Sequence, residues 1–139
     1  MTVFLDTNIL LDLLDGSRED HAAATEILRQ AYVGHIQGWI TSVSIVNATY
    51  VMRKAMAPDA IGAYMLKILS TLEMSPLGSA EMKAAMASGW RDLEDAVQFH
   101  SALAVGRIEA IVTNDPDFKQ QKLITVLSPK QFLRKLTRA

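Results

Sequence analysis

Short unbroken apolar runs alternate along the chain with longer stretches whose apolar positions repeat at helical spacing. Residues 2–5, with Val3 and Phe4 at their centre, form the first run and stop at Asp6. They predict a buried strand. Ile9, Leu10, Leu13 and Leu14 then predict a short helix over residues 8–14, ending near Gly16. Ser17 with Asp20 three residues on resembles a capping box and predicts a helix to about Val33. Its apolar positions Ala24, Ile27, Leu28 and Ala31 keep the helical period. Gly34 and Gly38 bracket a turn, and residues 39–42 read as a second strand. Ser44 is expected to cap a helix over residues 45–56. Pro58 opens another helix, over residues 59–72.

The second half repeats the theme. Residues 74–77 are a weak strand candidate, placed at an edge by Pro76. Ser79, Met82 and Met86 mark a helical stretch broken at Ser88-Gly89. The clearest helix covers residues 92–105, with Leu93, Ala96, Val97, His100, Leu103 and Ala104 on one stripe and Gly106 at its end. Residues 110–113 and 124–127 read as buried strands and residues 129–136 as a terminal helix. Strands separated by helices predict an α/β fold. It is expected to be a single-domain three-layer sandwich over residues 1–139, with a mainly parallel central sheet of about four to five strands. In such sheets ligands bind beyond the carboxyl ends of the strands.

Composition narrows the function classes. Half of the 139 residues are hydrophobic, which excludes a disordered chain. Charged residues interrupt every apolar run well before about 18 residues, so no membrane span is expected. An acid at position 6 and no basic segment before it argue against a signal peptide. The absence of Cys removes disulfides, thiol nucleophiles and thiolate metal sites, and a cytoplasmic setting is expected. A net charge of -1 gives no global nucleic-acid footprint. Locally the balance differs. Asp6, Asp12, Asp15, Glu19 and Asp20 make the start acidic, whereas Lys119, Lys122, Lys130, Arg134, Lys135 and Arg138 make the end basic. This is either an ordinary solvated surface or an acidic site with a separate phosphate-contacting patch.

Two predicted strands end in acids, at Leu5→Asp6 and Thr113→Asn114-Asp115. Each Asp could be only a turn or capping residue. If both strands are central, however, the two carboxylates share one rim. Asp95 borders the buried stripe of its helix, where a carboxylate is costly unless paired, hydrogen-bonded or bound to a cation. Asp92 shares its helix face, and Glu94 is expected to point elsewhere. Converging acids without a cationic partner raise one another's pKa. A hard divalent ion, Mg²⁺ or Mn²⁺, relieves that repulsion and suits phosphodiester hydrolysis. His21, His35 and His100 lack metal-ligand spacing, and no phosphate-binding, dinucleotide-binding or α/β-hydrolase glycine motif is present.

These residues carry a family resemblance. Phe4-Leu5-Asp6-Thr7-Asn8-Ile9-Leu10-Leu11-Asp12 resembles the opening of PIN-domain proteins. Asp92-Leu93-Glu94-Asp95-Ala96-Val97-Gln98 and Ile111-Val112-Thr113-Asn114-Asp115-Pro116-Asp117-Phe118 resemble their later motifs. With Leu127-Ser128-Pro129 and Phe132-Leu133, the set is most similar to one bacterial PIN subgroup and spans essentially the whole chain. The resemblance implies a small parallel α/β fold and a Mg²⁺- or Mn²⁺-dependent site acting on RNA. It makes Asp6, Asp95 and Asp115 the metal-site acids, with Thr113 and Asn114 supporting the end of the last motif's strand. Asp117 is an auxiliary acid or, the favoured role, caps the turn at Phe118. Asp12 is expected to face solvent or stand behind the site. The family's toxins of VapBC-type pairs imply an antitoxin protein as a candidate partner, and many members dimerise, so a homodimer is another.

One position departs from the pattern. The family usually carries a Glu in the helix after the second strand, and Asn47 stands there. Asn keeps a carbonyl ligand and a donor that orients water but removes a charge and cannot activate water as a Glu would. Asn47 is therefore expected either to assist catalysis with weakened metal binding or only to bond local backbone in its helix. The alternative is a catalytically weak module that binds RNA or protein without turnover. A haloacid-dehalogenase-like phosphatase also begins with a strand ending in Asp, but Asp6-Thr7-Asn8 lacks its second acid. Met52, Met56, Met65, Met82 and Met86 are expected as core or interface filler, and Trp39 and Trp90 as packing residues. Arg53 and Lys54 continue the helix of Asn47, either as surface charges or within reach of a phosphate.

Overall fold

A computed structural model describes residues 1–138. Five strands form one wholly parallel sheet: β1 (Thr2–Leu5), β2 (Gln37–Ile40), β3 (Glu73–Met74), β4 (Ala110–Val112) and β5 (Thr125–Leu127). Their spatial order is β3-β2-β1-β4-β5. The chain therefore winds outward from β1 on one side and continues from β4 on the other. The β1/β4 boundary is the topological switch point, where α/β sheets open a crevice at their carboxyl ends. Pairing of Leu5 with Val112 brings the ends of these two strands level.

Period-two alternation divides the strand residues between two cores. Val3, Leu5, Ala110 and Val112 face one layer, packed with residues from α1 (Thr7–Leu14), α2 (His21–Tyr32), α3 (Ser42–Met52), α4 (Pro58–Thr71) and α7 (Pro129–Thr137). Phe4 and Ile111 face the other, packed with Phe99 of α6 (Leu93–Val105), Phe118 and Ile124. The result is helix layers on both faces of a sheet, as expected. α5 (Ser79–Ala87) packs on α6. Trp90 stacks on Phe99 at 5.1 Å and meets Phe118 edge-on at 6.1 Å, a packing role that agrees with its expected one. Met52 and Met65 are buried, whereas Met82 and Met86 are exposed.

Several boundaries shift for identifiable reasons. The α2 helix starts at His21, not at Ser17, because the Ser17 hydroxyl donates to Asp15 at 2.6 Å and caps nothing. The cap of α3 is Thr41, whose oxygen accepts the Ser44 N–H at 3.1 Å, so Ser44 lies inside the helix. β3 is an edge strand that ends before Pro76. Gly38 in β2 admits the Leu72 side chain, since a Cβ there would lie 2.6 Å from Leu72 Cδ2. No helix among the described residues is long and apolar enough to cross a membrane.

Candidate functional site

Asp6 follows β1 directly and stands at the N-cap of α1. Its main-chain N–H donates to the Val112 carbonyl at 3.1 Å, locking it to β4. The side chain is buried, and each oxygen has its own donor. Gln98 Nε2 reaches Oδ1 at 2.9 Å, and the Thr113 hydroxyl reaches Oδ2 at 2.7 Å. Burial pushes the Asp6 carboxyl above its usual range and Asp115 adds to the rise, while Thr113, Gln98 and the Thr7 N–H hold it down. Thr113 also accepts the Asp115 N–H at 2.9 Å, so one hydroxyl ties together the acids that follow β1 and β4. Thr113 thus takes the supporting position expected of it. Asn114 instead turns outward to Asp20, at 2.7 Å.

Asp95 comes from the first turn of α6, where Asp92 caps the helix by accepting the Asp95 N–H at 3.2 Å. The Asp95 side chain is only 5% exposed, and its Oδ2 has no hydrogen-bond partner. Its carboxyl is pushed up to about 8, first by burial, then by Asp115, and further by Asp6 and Asp92. A buried oxygen without a donor, among like charges, fits a cation ligand. The surrounding donors are all oxygens, the preference of a hard divalent ion. A cavity of about 350 Å³ opens here, lined by Asp6, Asn47, Asp95 and Asp115. The four residues singled out from the sequence are therefore brought together. Asn47 is half-buried on α3, and the exposed Tyr50 one turn on lies at the same cavity. Arg53 stacks on the Tyr50 ring at 3.6 Å, which places a cation beside the cavity wall.

Glu94 and Asp117 also sit differently from expectation, and one of the two places offered for Asp12 is excluded. Glu94, expected to point elsewhere, lines the cavity, and its Oε1 accepts the Thr7 hydroxyl at 2.9 Å. Residues 94 and 95 both belong to the first helical turn, and the cavity wraps around that turn instead of lying along one stripe. Asp115, not Asp117, caps the 3₁₀ turn at Pro116–Gln120, accepting the Asp117 N–H at 2.9 Å. The Asp117 carboxylate is thereby left to meet Asp92 and Asp95, with one oxygen from each within 4.8 Å of the others. Asp12 is buried, not solvent-facing, because Arg18 Nε pairs with it at 2.7 Å. Gln98 was unremarked as a site residue. Its Oε1 accepts the Thr7 N–H at 3.1 Å while its Nε2 holds Asp6. The available signal was an amide in the most buried stretch of α6, between Val97 and Phe99.

Fold, switch-point crevice and acidic lining define a class. Residues 2–117 match the PIN domain, and the chain belongs to that family. Among curated proteins it is 27% identical over 135 residues to Ribonuclease VapC1 of Aquifex aeolicus, covering 94% of this chain and 92% of that one. Its fold is similar to a chain of VapBC2 from Rickettsia felis, solved bound to a DNA fragment from their promoter. That match has a TM-score of 0.67 and 19% identity, over 92% of this chain and 98% of the other. It is also similar to VapC20 of Mycobacterium tuberculosis, a Sarcin-Ricin loop cleaving toxin. There the TM-score is 0.66 and identity 14%, over 85% of this chain and 93% of that one.

Proposed function

We propose that this protein is a Mg²⁺- or Mn²⁺-dependent endoribonuclease and the toxin member of a toxin–antitoxin pair, acting in the cytoplasm. The observation that carries the reading is Asp95 Oδ2, buried and unpartnered in a cavity shared with Asp6 and Asp115. Asp6, Asp95 and Asp115 are the residues to hold the ion, with Asn47 assisting from α3. A divalent ion held by such carboxylates supplies charge neutralisation at a phosphodiester and activation of water. Gln98 and Thr113 favour the ionised form of Asp6 against its burial and fix its direction, because both donate to it. Arg53 on Tyr50 presents a cation to a phosphate at the rim. Likeness to VapC proteins over nearly the full chain supports an RNA substrate and an antitoxin partner.

The test is cleavage of labelled RNA with Mn²⁺, with Mg²⁺ and with chelator. Cleavage is expected only with metal. Asp6→Asn and Asp95→Asn should each reduce it at least about 100-fold while the far-ultraviolet dichroism stays native. Undiminished cleavage by both variants overturns the assignment. Metal-dependent RNA binding by the wild type without cleavage turns the reading to the binding module.

A further inference from the structure

The expected carboxylate of α3 is absent at Asn47, yet a half-buried carboxylate reaches the same cavity from another element. We propose that Glu94 is a metal-ligating carboxylate, supplying from α6 the charge that α3 lacks. This rests on the metal-dependent reading above.

The hydrogen-bond chain places Glu94 against the Asn47 face of α3. Thr7 Oγ1 lies 2.9 Å from Glu94 Oε1 and 2.6 Å from Ser44 Oγ, which in turn lies 2.9 Å from Thr41 Oγ1. A hydroxyl has one hydrogen. Because Glu94 accepts that of Thr7, the 2.6 Å contact between Thr7 and Ser44 needs the Ser44 hydrogen, which Gln98 Oε1 shares at 3.3 Å, and Thr41 donates to Ser44. The chain runs one way, Thr41→Ser44→Thr7→Glu94, and ends on the only member able to carry a charge. Ser44 and Asn47 are three residues apart, so they share a face of α3. Glu94 thus approaches the face on which the missing acid would stand. Asp92 also lines the cavity; one of its oxygens caps α6, as one oxygen of Glu94 accepts from Thr7, and its carboxylate lies with those of Asp95 and Asp117 instead of against α3. The acids alone would not indicate a ligand. The independent sign is Asp95 Oδ2, next to Glu94 in sequence, buried without a partner in the same cavity.

Mn²⁺ titration by calorimetry tests this on wild type, Glu94→Gln, Asn47→Glu and the double variant. Gln retains an oxygen to accept the Thr7 hydroxyl, so a merely structural role predicts unchanged Mn²⁺ affinity. The proposal predicts a weakening of about tenfold or more for Glu94→Gln, because ligand charge sets affinity. Restoring a carboxylate from the other side, in Glu94→Gln with Asn47→Glu, should recover affinity to within about threefold of wild type. Ribonuclease activity should follow the same order. Wild-type affinity in Glu94→Gln overturns the proposal while leaving the metal-dependent reading intact. A wild type that binds no Mn²⁺ at millimolar concentration overturns both. Weakening that Asn47→Glu does not recover also overturns it, since the carboxylate would then not be interchangeable between the two elements.

Discussion

At the scale of single residues, Asp95 is held against electrostatics. With its carboxyl at about 8 in the folded chain against an ordinary value of 3.8, the native state binds a proton that the unfolded chain has already lost. Stability of the metal-free protein therefore falls as pH rises from about 4 to about 8 through this group, and is regained on acidification. Asp95→Asn removes the ionisation. At pH 8 the metal-free variant should be more stable than wild type by on the order of 1 kcal/mol, or about 3–5 °C in Tm. At pH 5 the advantage should shrink. A variant equally or less stable at pH 8 would mean that Asp95 is not under repulsion. Gln98 is the opposite case. Replacing it with Ala strips the donor from Asp6 Oδ1 and the acceptor from the Thr7 N–H, both buried. Gln98→Ala should lower unfolding free energy by about 2–4 kcal/mol in urea titrations.

At the scale of elements, what sequence pattern could reveal depended on how local each cause was. β1, β4 and α6 were legible because their apolar patterns are decided within the element. Asp6 and Asp115 were legible as a pair because each follows a strand whose continuous apolar run marks it as central, which puts both carboxylates on one rim even though each also stands at the N-cap of a helical turn. Helix starts were less so. Ser17 and Ser44 each look like caps, but the first is taken by Asp15 and the second is displaced by Thr41, which is fully buried at the end of β2. Glu94 and Gln98 were misread or passed over because their partners, Thr7 and Asp6, are about ninety positions away in sequence. No periodicity on α6 announces them. Thr41 gives a test at this scale. It caps α3 and begins the hydroxyl chain to Glu94, so Thr41→Ala should destabilise by about 1–2 kcal/mol. The effect on stability should persist in the Glu94→Gln background, because the cap does not depend on Glu94.

At the scale of the whole molecule, a net charge of -1 sums acids that face the cavity and bases that lie beyond it. The two meet beside Asp115. A smaller groove of about 130 Å³ runs from Asp115 to Lys119, Ser128 and Gln131, at the start of the basic helix α7. RNA entering the acidic cavity would be repelled unless neighbouring cations hold its backbone, and Lys119 is the base that shares a groove with a candidate metal-site residue. A phosphate contact at Lys119 would contribute counterion release to RNA binding. Lys119→Ala should therefore weaken single-stranded RNA binding across sequences and reduce the slope of log affinity against log salt by about 0.7. The measurement is fluorescence anisotropy over a salt series, with a calcium-containing buffer to suppress cleavage. Lys122→Ala is the comparison: its side chain lines a different groove, with Gln121 and Leu123, away from Asp115. An equal loss of slope in both variants would mean that the basic end attracts RNA only as a diffuse patch. A loss confined to Lys119 would give the backbone a defined path along the rim, from the 3₁₀ turn after β4 toward the carboxylates at the switch point.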